Sequence, residues 1–377
     1  MEISSYILCK VRHCLTGTGK NLAGVAVCAL AVCLAGCSKN TAPEQAVFGG
    51  PAKVTLVVDG GSGSATKISA DVDEANTVKS VKIFAFKHAP GEAQNNELAG
   101  YGYWDGISGP GPHFCNMKLS VSGNIDFYVI ANDEYASRNG GNLDENSTRA
   151  DVVNVKFSGL DEISGASAIP MTNIYNKAEG NDGTIGNNNF TFNISEELDA
   201  QVIDIAVTRA MSRLSFFFAK AEENSSVIIN SIRLTCENPP AAAGYFIASG
   251  SDDFAGSPAL DETILSQGTD VTKVNETGSL EDSSLQQVGL DSYLLPDTYG
   301  SADPDSQTLA DQDAAKAYTA EIEYTINGIR RSKLVYLPPV APNDWLKVKG
   351  IFASPVDVNI VVIALSWEGR EMNIEFN

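Results

Sequence analysis

The sequence predicts a mainly β protein of antiparallel sheets packed face to face, and three observations predict it. Past Gly50 the apolar residues fall mostly at period two, which places alternate side chains on opposite faces of an extended chain. Clusters of Gly, Asn, Asp and Pro break those runs at turn-like intervals. Helical periodicity is scarce, and "SEELDA" (Ser195–Ala200) and "TLADQDAAKA" (Thr308–Ala317) suggest only short helices. With 377 residues, 43% of them hydrophobic, the chain can bury a sizeable core, and its length favours two domains.

The first residues read as a secretory leader. Lys10, Arg12 and Lys20 precede the apolar stretch "NLAGVAVCALAVCLAGC", which is too short and too rich in small residues for a lasting membrane span. It ends in Leu34, Ala35, Gly36 and Cys37, which resembles the bacterial lipobox, so residues 1–36 read as a signal peptide and Cys37 as the acylated residue. A lipid there would anchor the product at a membrane surface, since each buried CH₂ contributes about 0.8 kcal/mol. Loss of the leader turns a net charge of -21 into -23, leaving 23 Lys/Arg against 46 Asp/Glu. No clustered cationic surface is visible, so nucleic acid is excluded as a partner. Cys9, Cys14, Cys28 and Cys33 leave with the leader, and the distant Cys115 and Cys236 do not suggest a bridge.

The strand readings follow in chain order. "KVTLVVD" (Lys53–Asp59) puts Val54, Leu56 and Val58 on one face and runs into the Gly/Ser stretch "GGSGSATK", which ends at Lys67. "VKIFAF" (81–86), "IDFYVIA" (125–131), "RLSFFF" (213–218) and "VNIVVIALSW" (358–367) are apolar on both faces, which predicts central strands. "AYTAEIEYTI" (317–326) alternates, as a strand with one side on a core does. Residues 176–189 and 249–284 are polar and turn-rich and read as long surface loops. Apolar strand sets recur on either side of about residue 205, which gives domains at 37–205 and 206–377.

Catalytic signatures are missing. Gly60 to Lys67 has the glycines of a phosphate loop but neither the Gly-Lys-Ser/Thr nor the following helix. There is no Gly-x-Ser-x-Gly, and His88 and His113, the two histidines past the leader, sit in turn-rich surroundings that read as solvated loops. No zinc spacing occurs, and the acidic pairs Asp71/Asp73, Asp252/Asp253, Asp303/Asp305 and Asp311/Asp313 lack the rest of a helix-loop-helix calcium site. No catalytic residue, cofactor or metal is therefore expected. Tyr101, Tyr103 and Trp104 in "AGYGYWDG" suit either a sugar platform or strand packing.

Taken in order, "VKSVKIFAF", "GNIDFYVIANDE", "IPMT", "VTRAMSRLSFFF", "SIRLTCENPP", "YLLPDTYG", "APNDWLKVKGIF" and "VNIVVIALSWEG" make the chain resemble the fimbrillins, the pilins of donor-strand (type V) fimbriae. The resemblance spans most of the chain past the leader. It implies two transthyretin-like β-sandwich domains, export as a lipoprotein to the outer membrane, proteolytic removal of the first strand and polymerisation with other fimbrial subunits by strand exchange. Lys53–Asp59 takes the place of the removed strand, and the loop ending at Lys67 that of the protease target. Family members are typically cut after arginine, whereas Lys39–Ser69 contains none, so Lys67 is the candidate cut site for a maturation protease. The donor would come from Val356–Phe376, with Val358, Ile360 and Val362, then Ile374 and Phe376, as inserting side chains; Val358–Trp367 equally fits a core strand of its own sheet. The expectation is a non-enzymatic structural subunit at the cell surface. The alternative is a lipid-anchored or fibre-tip adhesin that holds glycan or protein through loops, and a surface glycosidase comes third.

Overall fold

The computed structural model describes residues 46–59, 77–107, 111–133, 143–157, 169–173, 190–196, 199–246, 258–297, 315–353 and 358–366. From Val47 the chain forms one compact unit. Its first strands are β1 (Ala52–Asp59), β2 (Val81–Lys87), β3 (Leu98–Trp104), β4 (His113–Leu119) and β5 (Gly123–Ala131), followed by the short helix α1 (Arg149–Val153). Then come β6 (Lys156–Phe157), β7 (Met171–Thr172), β8 (Thr191–Ile194), β9 (Gln201–Ala206) and β10 (Thr208–Arg209). A second set comprises β11 (Ser212–Lys220), β12 (Val227–Cys236), β13 (Ala243–Gly244), β14 (Leu260–Leu265), β15 (Thr269–Asp270) and β16 (Gln286–Gln287). It continues with β17 (Ser292–Leu294), β18 (Thr319–Ile326), β19 (Ile329–Tyr336), β20 (Asp344–Phe352) and β21 (Val358–Ser366). The protein is mainly β, as the alternation predicts.

The strands build two pairs of facing sheets. In the first pair, β4-β1-β9 faces β10-β7-β5-β2-β3, with β8 also on β5. Val54, Leu56 and Val58 from one sheet and Ile83, Ala85, Phe127 and Val129 from the other share a single buried core. In the second pair, β16-β11-β20-β21 faces β14-β12-β18-β19, and Leu214, Phe216 and Val348 meet Ile229, Ile322 and Tyr324. Most ladders are antiparallel, but β1 runs parallel to β9 and β11 parallel to β20. The pairing scheme repeats: β1 to β4 and to β9, β2 to β3 and to β5, and β5 to β8 match β11 to β16 and to β20, β12 to β14 and to β18, and β18 to β19.

The strands apolar on both faces owe that pattern to a second layer of burial. Val81, Ile83 and Ala85 point into the first core, while Phe84 and Phe86 on the opposite face of β2 join Tyr128, Phe157, Tyr245 and Phe246 in a separate cluster. That cluster unites the two strand sets: β13 pairs with β6, and the Tyr245 hydroxyl donates to the Asn132 carbonyl at 3.0 Å.

The structure changes several expectations. Val358–Ser366 forms a strand, but among the described residues it lies at the end of its sheet, paired with β20 alone, with Ile360 and Val362 buried on one face and Val361 and Ile363 half-buried on the other. Leu260–Leu265 lies within a span that reads as loop, yet it pairs with β12, where Arg233 and Asp261 meet across the ladder. Ser195, Glu196, Asp199 and Ala200 of "SEELDA" are not helical. Among the described residues the α-helix is α1, five residues long, and its signal is the capping box of Thr148 and Asp151. Thr308–Ala314 lies outside the described residues.

Two local devices fix the second sheet pair. Asn327 and Gly328, with φ of 49° and 83°, make the left-handed two-residue turn joining β18 to β19. On the outer face of β11 and β20, Asp282 clasps the buried Lys347 and Lys349, meeting Lys349 Nζ at 2.6 Å, while Leu285 beside it packs on Phe217. Burial pulls the Asp282 carboxyl upward, but the two ammonium groups outweigh it and hold its pKa below the ordinary carboxylate value. A folded-state pKa below the unfolded one means that this stability is complete above the ordinary carboxylate range, near pH 4, and is lost as pH falls through the folded value. Asp282→Asn should therefore destabilise the protein at pH 7, and its deficit against the parent should shrink as pH falls below about 4 in denaturant titrations.

Candidate functional site

The first strand occupies a slot. β1 lies between β4, its antiparallel partner from Ala52↔Leu119 to Val58↔His113, and β9, its parallel partner from Val54↔Gln201 to Asp59↔Ala206. Alternation sends Val54, Leu56 and Val58 inward, where each is 1% exposed or less. Leu56 stands level with Cys115 on one side and Ile203 on the other, both buried. Three such side chains contribute roughly 5 to 9 kcal/mol of burial before ordering entropy. Without β1, two rows of backbone donors and acceptors and a line of apolar pockets would face each other across a gap one strand wide. Only a strand restores both ladders at once.

The candidate donor region is placed in part. β21 pairs with β20 from Val358↔Phe352 to Ser366↔Asp344, and Ile360 and Val362 are buried in the second core. Val358 lies in this strand. Because among the described residues β21 has one ladder where β1 has two, releasing it breaks fewer backbone hydrogen bonds. Cys37, Lys67, Ile374 and Phe376 lie outside the described residues.

Side chains read for chemistry turn out to be built into the framework. His88 is held by Asp126, with Nδ1 2.9 Å from Oδ1, and is no freely solvated loop imidazole. Asp126, 1% exposed, also accepts from Arg149 Nη1 at 2.6 Å and Thr191 Oγ1 at 2.6 Å. Arg149 donates further to the Lys87 carbonyl at 2.8 Å and the Asn95 carbonyl at 2.7 Å, and its guanidinium lies 5.1 Å from the Phe86 ring centroid. This network pins α1 to the sheet, and sequence reasoning missed it because its members are scattered along the chain. The signal within reach was an acidic residue inside the apolar run "IDFYVIA", since a carboxylate in a buried strand requires a cationic partner.

Tyr101, Tyr103 and Trp104 divide between the faces of β3. Tyr101 packs on Phe84 with centroids 5.1 Å apart, and Trp104 leans on the first core, its ring over Gly102, where a Cβ would collide with it. Tyr103 is the exposed member, 4.9 Å from Lys82 Nζ. Cys115 and Cys236 are buried free thiols in separate cores, and burial pushes their pKa values up to about 11 and about 12, which keeps them protonated and inert. Among the described residues no His, Cys, Asp or Glu cluster has the makings of a metal site, and no helix is long and apolar enough to cross a membrane.

No family model matches the chain, and no curated protein matches it. Among solved structures it is similar to the tip fimbrial protein Mfa3 of Porphyromonas gingivalis, with 13% identity over 84% of this chain and 100% of that one and a TM-score of 0.47. It is also similar to a candidate cell adhesion protein of Parabacteroides distasonis, with 13% identity over 85% and 98% of the two chains and a TM-score of 0.46. A fimbrial assembly protein of the same organism shares 10% identity over 83% and 95%, with a TM-score of 0.41. These likenesses are loose, and no residue role is carried across from them.

Proposed function

We propose that the chain is a non-enzymatic structural subunit of a surface fibre, exported as a lipoprotein precursor and polymerised by strand exchange. In this reading residues 1–36 are removed, Cys37 is acylated at the outer membrane, and two transthyretin-like domains meet near residue 205. A maturation protease cuts at Lys67 and frees β1, and a neighbouring fimbrial subunit lends a strand to the vacated slot. The observation that carries the reading is the place of β1: an amino-terminal strand buried between two ladders, with its apolar residues aligned on one face. A lipobox-like sequence before it and a Gly/Ser stretch after it support the same reading. The place of β21 at the end of its sheet among the described residues supports a carboxy-terminal donor, because a strand held by one ladder is the easier one to lend.

Limited digestion of the precursor with a lysine-specific protease tests this. Cutting at Lys67 should produce ladders that resist sodium dodecyl sulfate. A subunit that stays monomeric after clean cutting at Lys67 contradicts the proposal.

A further inference from the structure

β1 is held differently at its two ends. The ladders themselves are nearly balanced: Ala52 and Lys53 pair with β4 before β9 joins at Val54↔Gln201, and Asp59 pairs with β9 after the ladder to β4 has ended at Val58↔His113. Beyond the ladders the balance is lost. The chain that leads into β1 is fastened to the end of the first sandwich. Phe48 packs against the first core and lies under the Lys87 ammonium, which stands 5.3 Å from its ring centroid. Gly49 N–H donates to the Ser122 carbonyl at 3.2 Å. Gly50 N–H donates to Glu196 Oε1, and the same oxygen accepts from the Ser122 hydroxyl at 3.4 Å.

Glycine is what permits the approach, since a Cβ on Gly49 would collide with the Glu196 carboxylate and the Ser122 hydroxyl. Ser122 stands in the turn between β4 and β5, and Glu196 lies just past β8, so both anchors belong to the frame around the slot and not to its occupant. The other end of β1 has less to hold it. Among the described residues the Asp59 carbonyl accepts from Val207 N–H at 3.0 Å. The sequence that follows, "GGSGSATK", carries no apolar side chain larger than that of alanine, so nothing in it can pack as Phe48 does.

We propose that Phe48, Gly49 and Gly50, held by Ser122 and Glu196, latch the amino-terminal end of β1, so that the strand opens from Asp59 toward Ala52. A strand set in two ladders comes away pair by pair from its weaker end, because freeing its middle first would break both ladders at once. The consequence for exchange rests on the function proposed above: an incoming strand enters at the place of Val58, then displaces Leu56 and Val54, and releases the latch last. The candidate cut at Lys67 falls on the side that opens, whereas Cys37 lies beyond the latch.

Hydrogen exchange of the intact, uncut chain in detergent, followed residue by residue along β1, tests the latch. The amides of Val58 and Asp59 should exchange at least about fivefold faster than those of Ala52 and Val54. Glu196→Ala, at an exposed side chain, should speed exchange at Ala52 and Val54 about fivefold and leave Val58 and Asp59 within about twofold of the parent. Gly49→Ala, which drives a Cβ into the same carboxylate, should do the same from the other partner. Uniform exchange along β1, exchange that starts at Ala52, or variants that act equally on both ends would overturn the proposal. Because the chain is uncut, such a failure leaves strand exchange standing, and a subunit that shows the gradient but stays monomeric after cutting contradicts the proposed function and not the latch.

Discussion

Leu56→Ala should lower the stability of the first sheet pair by about 3 kcal/mol, while Thr55→Ala, one residue away, should cost less than about 1 kcal/mol. Leu56 is fully buried at the middle of β1, flanked by Cys115 and Ile203, so truncation leaves a cavity that two fixed ladders prevent from collapsing. Thr55 points to the outer face, where its hydroxyl meets Asn116 Oδ1 at 2.7 Å in contact with solvent. Denaturant midpoints with unchanged slopes would confirm the contrast. Equal losses at the two positions would mean that the strand is not seated in a one-sided slot. The comparison also bears on exchange, because Leu56→Ala weakens the occupant of the slot and leaves the slot itself intact.

Asp126→Ala should be the most damaging single change outside the two sandwich cores, at about 3 to 5 kcal/mol. It would leave the Arg149 guanidinium, 12% exposed at its side chain, with carbonyl partners and the Tyr128 hydroxyl but no anion. The double variant Asp126→Leu/Arg149→Met should recover most of the loss, since a buried ion pair replaced by apolar side chains of similar volume is often neutral or better. His88→Ala should matter less, because the imidazole is the more exposed partner, at 34%. A double variant no better than Asp126→Ala alone would show that the network is required for something other than its own neutralisation.

The strands were legible where side-chain period alone decides them. "VKIFAF", "IDFYVIA" and "RLSFFF" are central strands, as apolar faces on both sides suggest. "VNIVVIALSW" shows the limit of that argument, since an apolar run does not count ladders, and among the described residues β21 has one. Pairings between distant segments left no local trace: β1 meets β9 across the intervening β2 to β8, and nothing in "QVIDIA" names its partner. α1 was invisible to periodicity because five residues do not complete two turns, although its capping box was on the page. At the slot, the inward set Val54, Leu56 and Val58 could be read from alternation, but its two walls could not. The Asp126, Arg149 and His88 network demanded the fold, for those residues converge only after β2, β5 and α1 have been assembled.

Strand exchange requires β1 to be the replaceable member of its sheet. Mass spectrometry of subunits recovered from assembled fibres on cells tests it most directly by reading their amino termini. Chains that begin just past Lys67 and lack Val54, Leu56 and Val58 are the expected result. Assembled subunits that still carry residues 53–59 would contradict it.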